Sequence, residues 1–216
     1  MNTETARIQM VHQQVRAWDV LDATVLRVLR QVAREEFVPP AYRAVAFADT
    51  SIPLAHGQCM MTPQVEGRLL QALAVKSGER VLEIGTGSGF LAACLAQLGQ
   101  QITSLEIYPD LAESARRALQ ATGNDTVEVI SADVYAWQPR GTFDVIAITG
   151  SLPVYDPRFE AWLNPGGRIF TIVGELPIME ARLVRRGSNG GVTSESLFET
   201  AVPPLIHALR PDRFVF

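Results

Sequence analysis

The chain has 216 residues, of which 47% are hydrophobic and 19% charged, and its net charge is −4 at pH 7. That balance supports one large core, and 16 glycines with 13 prolines are near average usage, which excludes a collagen-like or low-complexity chain. A net-acidic chain is poorly suited to neutralising phosphates, so nucleic acid is not expected as a main partner. Cys59 and Cys94 form no CxxC pair, and His12, His56 and His207 are scattered, so neither a disulfide framework nor a metal site is expected. The N-terminus has acidic residues and no apolar h-region, and no apolar run is long enough to span a bilayer. A soluble, cytoplasmic protein with no membrane partner is the expectation.

In chain order, residues 6–35 read as helix, with Ile8, Val11, Val15 and Trp18, then Val25, Leu26, Leu29 and Val32, at helical spacing. Phe37-Val-Pro-Pro40 stops it, because proline lacks the N–H donor and biases its predecessor away from the helical region. Residues 41–63 are loop-like, and Pro63 suits the first position of a helix through Val75. Arg80-Val-Leu-Glu-Ile-Gly85 is a short apolar run ending in glycine, the mark of a buried parallel strand. The pattern then predicts helix 89–98, strand 101–106, helix 109–121, strands 127–131 and 143–149, helix 156–163 and strand 167–173. Met179–Arg186 and Glu195–Ala201 flank the turn Gly187-Ser-Asn-Gly-Gly191 as a hairpin, and Asp212-Arg-Phe-Val-Phe216 suggests one more strand. Strands alternating with helices predict an α/β fold with a doubly wound, mostly parallel sheet. It carries an N-terminal helical extension with a substrate-side loop (1–63) folded over one compact unit (64–216), and a C-terminal antiparallel hairpin.

The informative segment is Glu83-Ile-Gly85-Thr-Gly87-Ser-Gly89-Phe90. Its glycines allow a sharp strand-to-helix turn and close approach of a ligand to backbone N–H groups. Nicotinamide sites use G-x-G-x-x-G, whereas here the third glycine comes at spacing two. Glu106 ends the next strand, about 20 residues beyond Gly85, where a carboxylate accepts ribose hydroxyls. Asp133 follows the third strand, placed to face an adenine amino group; Trp18, Trp137 and Trp162 read as packing residues, of which Trp137 is the best placed to approach that ring.

This combination resembles class I S-adenosylmethionine-dependent methyltransferases with a Rossmann-like fold. The segments Met10-VHQQVRAWDVLD-Ala23, REEFVPPAYR and AFADTSIPLAHGQ narrow the resemblance to the protein-L-isoaspartate O-methyltransferases, over nearly the whole chain. The resemblance implies transfer of a methyl group from S-adenosylmethionine to isoaspartyl carboxylates of damaged proteins, leaving S-adenosylhomocysteine. It implies cofactor contacts from Glu83, Gly85, Thr86, Gly87, Ser88, Gly89, Glu106, Ile107, Asp133 and Val134, with His56, Gly57 and Gln58 shaping the site. The implied partner is a protein or peptide carrying isoaspartyl residues.

Three departures stand out. The family reads T-I-S-x-P after HGQ, and this chain reads Cys59-Met60-Met61-Thr62-Pro63, so Met61 stands where the family has serine. Thr149-Gly150-Ser151-Leu152-Pro153 replaces an alanine-rich turn, and Val134 replaces the glycine of an Asp-Gly pair. A carboxylate nucleophile is ionised at neutral pH, so no general base is required and catalysis rests on positioning. One hydroxyl on a charged oxygen contributes about 1.5–3 kcal/mol, so Met61 weakens isoaspartyl chemistry without forbidding methyl transfer. Met61, Thr62 and His56 are therefore the positioning candidates. Thr62 points away from Met61 if the segment is extended. Cys59 has no identifiable base and reads as inert. Two other readings remain: a methyltransferase for a different acceptor, with Met61 and the 150–153 turn reshaping the pocket, and a cofactor-binding member that has lost catalysis.

Overall fold

The structure is a computed structural model that describes residues 3–211. Helix α1 (Thr3–Met10) runs into a π turn (Val11–Val15) and a 3₁₀ turn ending at Trp18. The chain then breaks at Asp19, which is left-handed with φ 59°, before α2 (Ala23–Gln31). The single helix expected over 6–35 is thus two helical arms. Asp22 explains the restart, because its carboxylate accepts from Thr24 N at 2.7 Å and Val25 N at 3.0 Å as an N-cap. Periodicity could not reveal the break, since both arms bury their apolar faces in one cluster.

Within the expected loop, β1 (Ile52–Pro53) and β2 (Cys59–Met60) form a short antiparallel ribbon. Helix α3 (Pro63–Leu73) starts at its proline, as the fixed φ of that residue favours. Then follow β3 (Arg80–Ile84), α4 (Phe90–Ala96), β4 (Gln101–Glu106), α5 (Pro109–Ala121), β5 (Val127–Ser131), β6 (Phe143–Leu152), β7 (Leu163–Glu175), β8 (Ile178–Arg186) and β9 (Val192–Glu199). The helix expected at 156–163 is a 3₁₀ run, Pro157–Trp162. Its aromatic anchors Phe159 and Trp162 lie three apart, the period of that tighter helix. The strand expected at Asp212–Phe216 lies outside the described residues.

The strands form one sheet in the order β5-β4-β3-β6-β7-β8-β9. Pairings are parallel from β5 to β7 and antiparallel for β7–β8 and β8–β9, so the doubly wound sheet and terminal hairpin hold. Strand alternation divides the core. Val81, Val145, Ala147 and Phe170 meet the N-terminal arms, α3 and α4, whereas Leu82, Ile84, Ile146 and Ile148 meet Phe159 and Leu163. Glu83 is 0% exposed and shares the first face with Val81. Because β3 and β4 run one way across the sheet and β6 starts on the other side of β3, a switch point opens at the strands' carboxyl ends.

Candidate active site

A crevice opens at that switch point. The end of β3 gives Gly85, and the end of β4 gives Leu105, Glu106, Ile107 and Tyr108. The segment after β5 adds Ala132, Asp133 and Val134. β6 supplies Thr149 and Gly150, and residues 202–206 close the far wall. That wall is held by Ser151 N donating to Pro203 O, and Leu205 N to Ser151 O, each at 2.9 Å. The register of β6 against β7 shifts between Ala147 and Ser151, which turns Thr149 out of the ladder toward the glycine loop.

The loop is drawn tight at its entry. Gly85 N and Thr86 N both donate to Leu105 O, at 2.8 and 3.1 Å, while Thr149 Oγ1 donates to Gly85 O at 2.7 Å. Gly85 (φ 99°) and Gly87 (φ 53°) both take left-handed φ values. Glu106 is 5% exposed, and its carboxylate accepts from Gly87 N at 2.8 Å and Tyr108 N at 3.1 Å. Two backbone donors thus fix its orientation while lone pairs remain for a ligand. Asp133 accepts from Tyr135 N at 2.9 Å, and its other oxygen lies 2.7 Å from His207 Nδ1.

A second, smaller cavity adjoins the first across the glycine loop. Met61, Glu66, Glu83, Thr86, Ser88 and Leu91 line it, along with Cys59, Gly85, Gly87 and Thr149 that also line the crevice. Glu66 meets Arg34 in a buried ion pair. Arg34 also donates to Ala46 O at 3.0 Å and Met61 O at 2.8 Å. Burial pushes the Glu66 carboxyl up, and Arg34 only partly offsets this. Burial likewise raises the thiols of Cys59 and Cys94, consistent with an inert Cys59.

Of the residues singled out from sequence, Gly85, Gly87, Glu106, Ile107, Asp133 and Val134 line the main crevice, and Glu83, Thr86, Ser88 and Met61 line the small cavity. Gly89 lines neither: it caps α4 with φ 88°, and a Cβ there would meet Ala115 of α5 at 3.2 Å. Thr62 lines neither and precedes α3. His56 sits outside on the rim, stacked on Tyr108 with ring centroids 4.0 Å apart and Nε2 2.9 Å from both Asp110 oxygens. It ties the 55–58 loop to the start of α5, beside Gln58, which does line the crevice. Trp137 does not reach the crevice either; it packs edge-on against Trp162 with centroids 5.7 Å apart. Sequence reasoning missed Arg34, Glu66 and the 202–206 wall, and marked Thr149 only as the start of a departing turn. The available signal was Glu66 itself, one acid between Val65 and Leu69 on a buried helix face.

The protein-L-isoaspartate(D-aspartate) O-methyltransferase family model matches residues 6–208. The chain belongs to that family. Among curated relatives, protein-L-isoaspartate O-methyltransferase 1 of Rhodopseudomonas palustris is 38% identical over 203 residues, spanning 93% of this chain and 82% of the relative. The Aeropyrum pernix enzyme is 35% identical over 214 residues, with 96% and 82% covered. The family fold extends to a solved protein-L-isoaspartate O-methyltransferase from Plasmodium falciparum in complex with S-adenosyl-L-homocysteine. That structure has a TM-score of 0.82 at 19% identity and covers 92% of this chain and 97% of its own. No helix among the described residues is long and apolar enough to cross a membrane.

Proposed function

We propose that the chain is an S-adenosylmethionine-dependent O-methyltransferase that esterifies isoaspartyl carboxylates in damaged proteins, acting in the cytoplasm. One observation carries the reading: Glu106 is held by two backbone N–H groups at the switch-point crevice, beside a glycine loop with no room for a side chain at Gly85.

These residues fit an adenosyl cofactor. Glu106 keeps free lone pairs for the ribose, and Ile107, Ala132 and Val134 give an apolar wall for a base. Asp133 sits where an exocyclic amine would be read, steadied by His207. Gly85 and Gly87 let the tail lie against bare backbone. When bound, S-adenosylmethionine supplies a methyl group activated on a sulfonium. Gln58, Cys59 and Met61 border the acceptor side, and residues 1–63 form a cover over the 64–216 unit.

The acceptor carboxylate is ionised far above its pKa, so the chain need only orient it and exclude water. The test is a labelled-methyl assay with an isoaspartyl peptide and its normal aspartyl counterpart. Transfer to the first alone supports the reading. Binding of S-adenosylhomocysteine without transfer to either peptide would replace it with a different acceptor or a non-catalytic role.

A further inference from the structure

A groove lies on the far side of the 202–206 wall, away from the glycine loop. Pro153, just after β6, and Pro204 of the wall line it, with Glu175, Leu176 and Met179 of the β7–β8 hairpin and Arg210. Pro204 also lines the crevice, so one short segment separates the two. The groove measures about 320 Å³, at the lower end of the range of about 300–1,000 Å³ for pockets that hold ligand groups.

The topology brings the hairpin to the same edge as the crevice. β7 runs parallel to β6, so its end and the turn into β8 stand at the carboxyl edge of the sheet. From β6 to β8 is two strand spacings, about 10 Å, which an extended chain covers in about three residues. Gly174 shapes the turn: its φ is 120°, and a Cβ there would lie 2.5 Å from Ile178 O. The tip leaves Leu176 and Ile178 72% and 70% exposed, the two most exposed large hydrophobic side chains among the described residues. Val154 and Leu209, neighbours of Pro153 and Arg210, are exposed as well. One exposed apolar side chain is ordinary, whereas several around a groove mark a binding surface.

We propose that this groove binds the acceptor polypeptide beyond its reacting residue, taking an apolar side chain three or four positions from the isoaspartyl residue. The inference rests on the function proposed above.

An isoaspartyl residue inside a protein has chain on both sides, so an acceptor held in the crevice must leave over its rim. At residues 55–58 and the start of α5 that rim is polar, with His56 engaged by Asp110 and Gln58 lining the opening. Across the crevice the 203–206 rim is apolar, and Pro203 and Pro204 have no N–H to keep hydrated. The groove continues directly from that rim through Pro204. It carries one charge of each sign, Arg210 and Glu175, so apolar contact rather than net charge sets its preference. Pro153 and Pro204 hold fixed φ values, and Gly174 a tight turn, so little order is lost on docking. A contact this far from the reacting carboxylate is equal in the ground and transition states, and it acts on KM rather than on kcat.

The test compares kcat and KM for isoaspartyl peptides carrying leucine or serine three or four positions away, on the N-terminal or the C-terminal side. A short isoaspartyl peptide with two residues on each side, which cannot reach the groove, is the reference. The wild type should favour leucine on at least one side by about tenfold, through KM. The double variant Leu176→Ser with Ile178→Ser should lose that preference and keep wild-type kcat/KM on the short peptide. Both side chains are exposed, so the substitutions leave the core intact. Equal KM for leucine and serine peptides, or a preference that survives in the double variant, overturns the inference while leaving the proposed function standing. So does a wild type whose mass by light scattering exceeds that of the double variant, which assigns the groove to a second copy of the chain. A leucine preference that emerges only when residues 212–216 are deleted overturns it too, and assigns the groove to the chain's own end. A wild type that transfers nothing to any isoaspartyl peptide overturns both.

Discussion

Thr149 Oγ1 donates to the Gly85 carbonyl at 2.7 Å and lies 2.3 Å from where a Cβ at position 85 would stand. Gly85→Ala therefore meets two penalties, the clash and a left-handed φ of 99°. Each costs roughly 1–3 kcal/mol. Adding Thr149→Ala removes the clash but not the backbone strain. Urea unfolding should show the double variant recovering part of the loss, and calorimetry should show S-adenosylhomocysteine binding impaired in both.

Glu106, proposed above to hold the cofactor ribose, also pins Gly87 and Tyr108. Glu106→Ala should weaken S-adenosylhomocysteine binding by about ten- to a hundredfold, the equivalent of one charge-assisted hydrogen bond of 1.5–3 kcal/mol. Glu106→Gln retains an oxygen acceptor and should fall between that variant and wild type. Unchanged affinity in Glu106→Ala, measured by calorimetry, would remove the assigned ribose contact.

The parallel strands and the glycine loop were legible because short apolar runs ending in glycine have few other uses in a chain that alternates strands with helices. Glu106 and Asp133 were legible for the same reason, each standing at a strand's carboxyl end. The rest depends on contacts between distant segments. Asp19 breaks a helix whose two arms share one core, so the apolar spacing hides the break. Thr149 becomes a wall of the crevice only because β6 slips its register. Trp137 packs, as its apolar ring suggests, but which partner takes it depends on the fold: Trp162 meets it edge-on, away from the crevice. His56 and Asp110 read as separate surface residues until the fold stacks the first on Tyr108.

Arg34 and Glu66 are a long-range pair of the same kind, and removing either partner strands the other. Arg34→Met leaves Glu66 buried without a cation and should cost about 3–5 kcal/mol in urea unfolding at neutral pH. It also removes the pull that lowers the Glu66 carboxyl, so that group rises further. The loss should then be smaller near pH 5, where Glu66 is neutral, than near pH 9, where the buried charge must form. The double variant Arg34→Met with Glu66→Leu should regain at least half the stability, since an apolar pair replaces a desolvated ionic one.

Glu83 gives stability the opposite pH dependence from a surface-paired acid. Its folded-state value of about 8 lies above the unfolded value of 4.5, so between them the folded chain binds the extra proton. The contribution is complete below the unfolded value and is lost as pH rises through the folded one. Unfolding free energy should therefore decline from about pH 5 to about pH 8 by a few kcal/mol, with the Arg34–Glu66 pair adding to the same slope. Glu83→Gln cannot ionise and should flatten the Glu83 part of that decline, while Glu66→Gln should not. Denaturant titrations of the three proteins at matched ionic strength would separate the two acids, and an identical slope in wild type and Glu83→Gln would mean that Glu83 is already ionised in the folded chain.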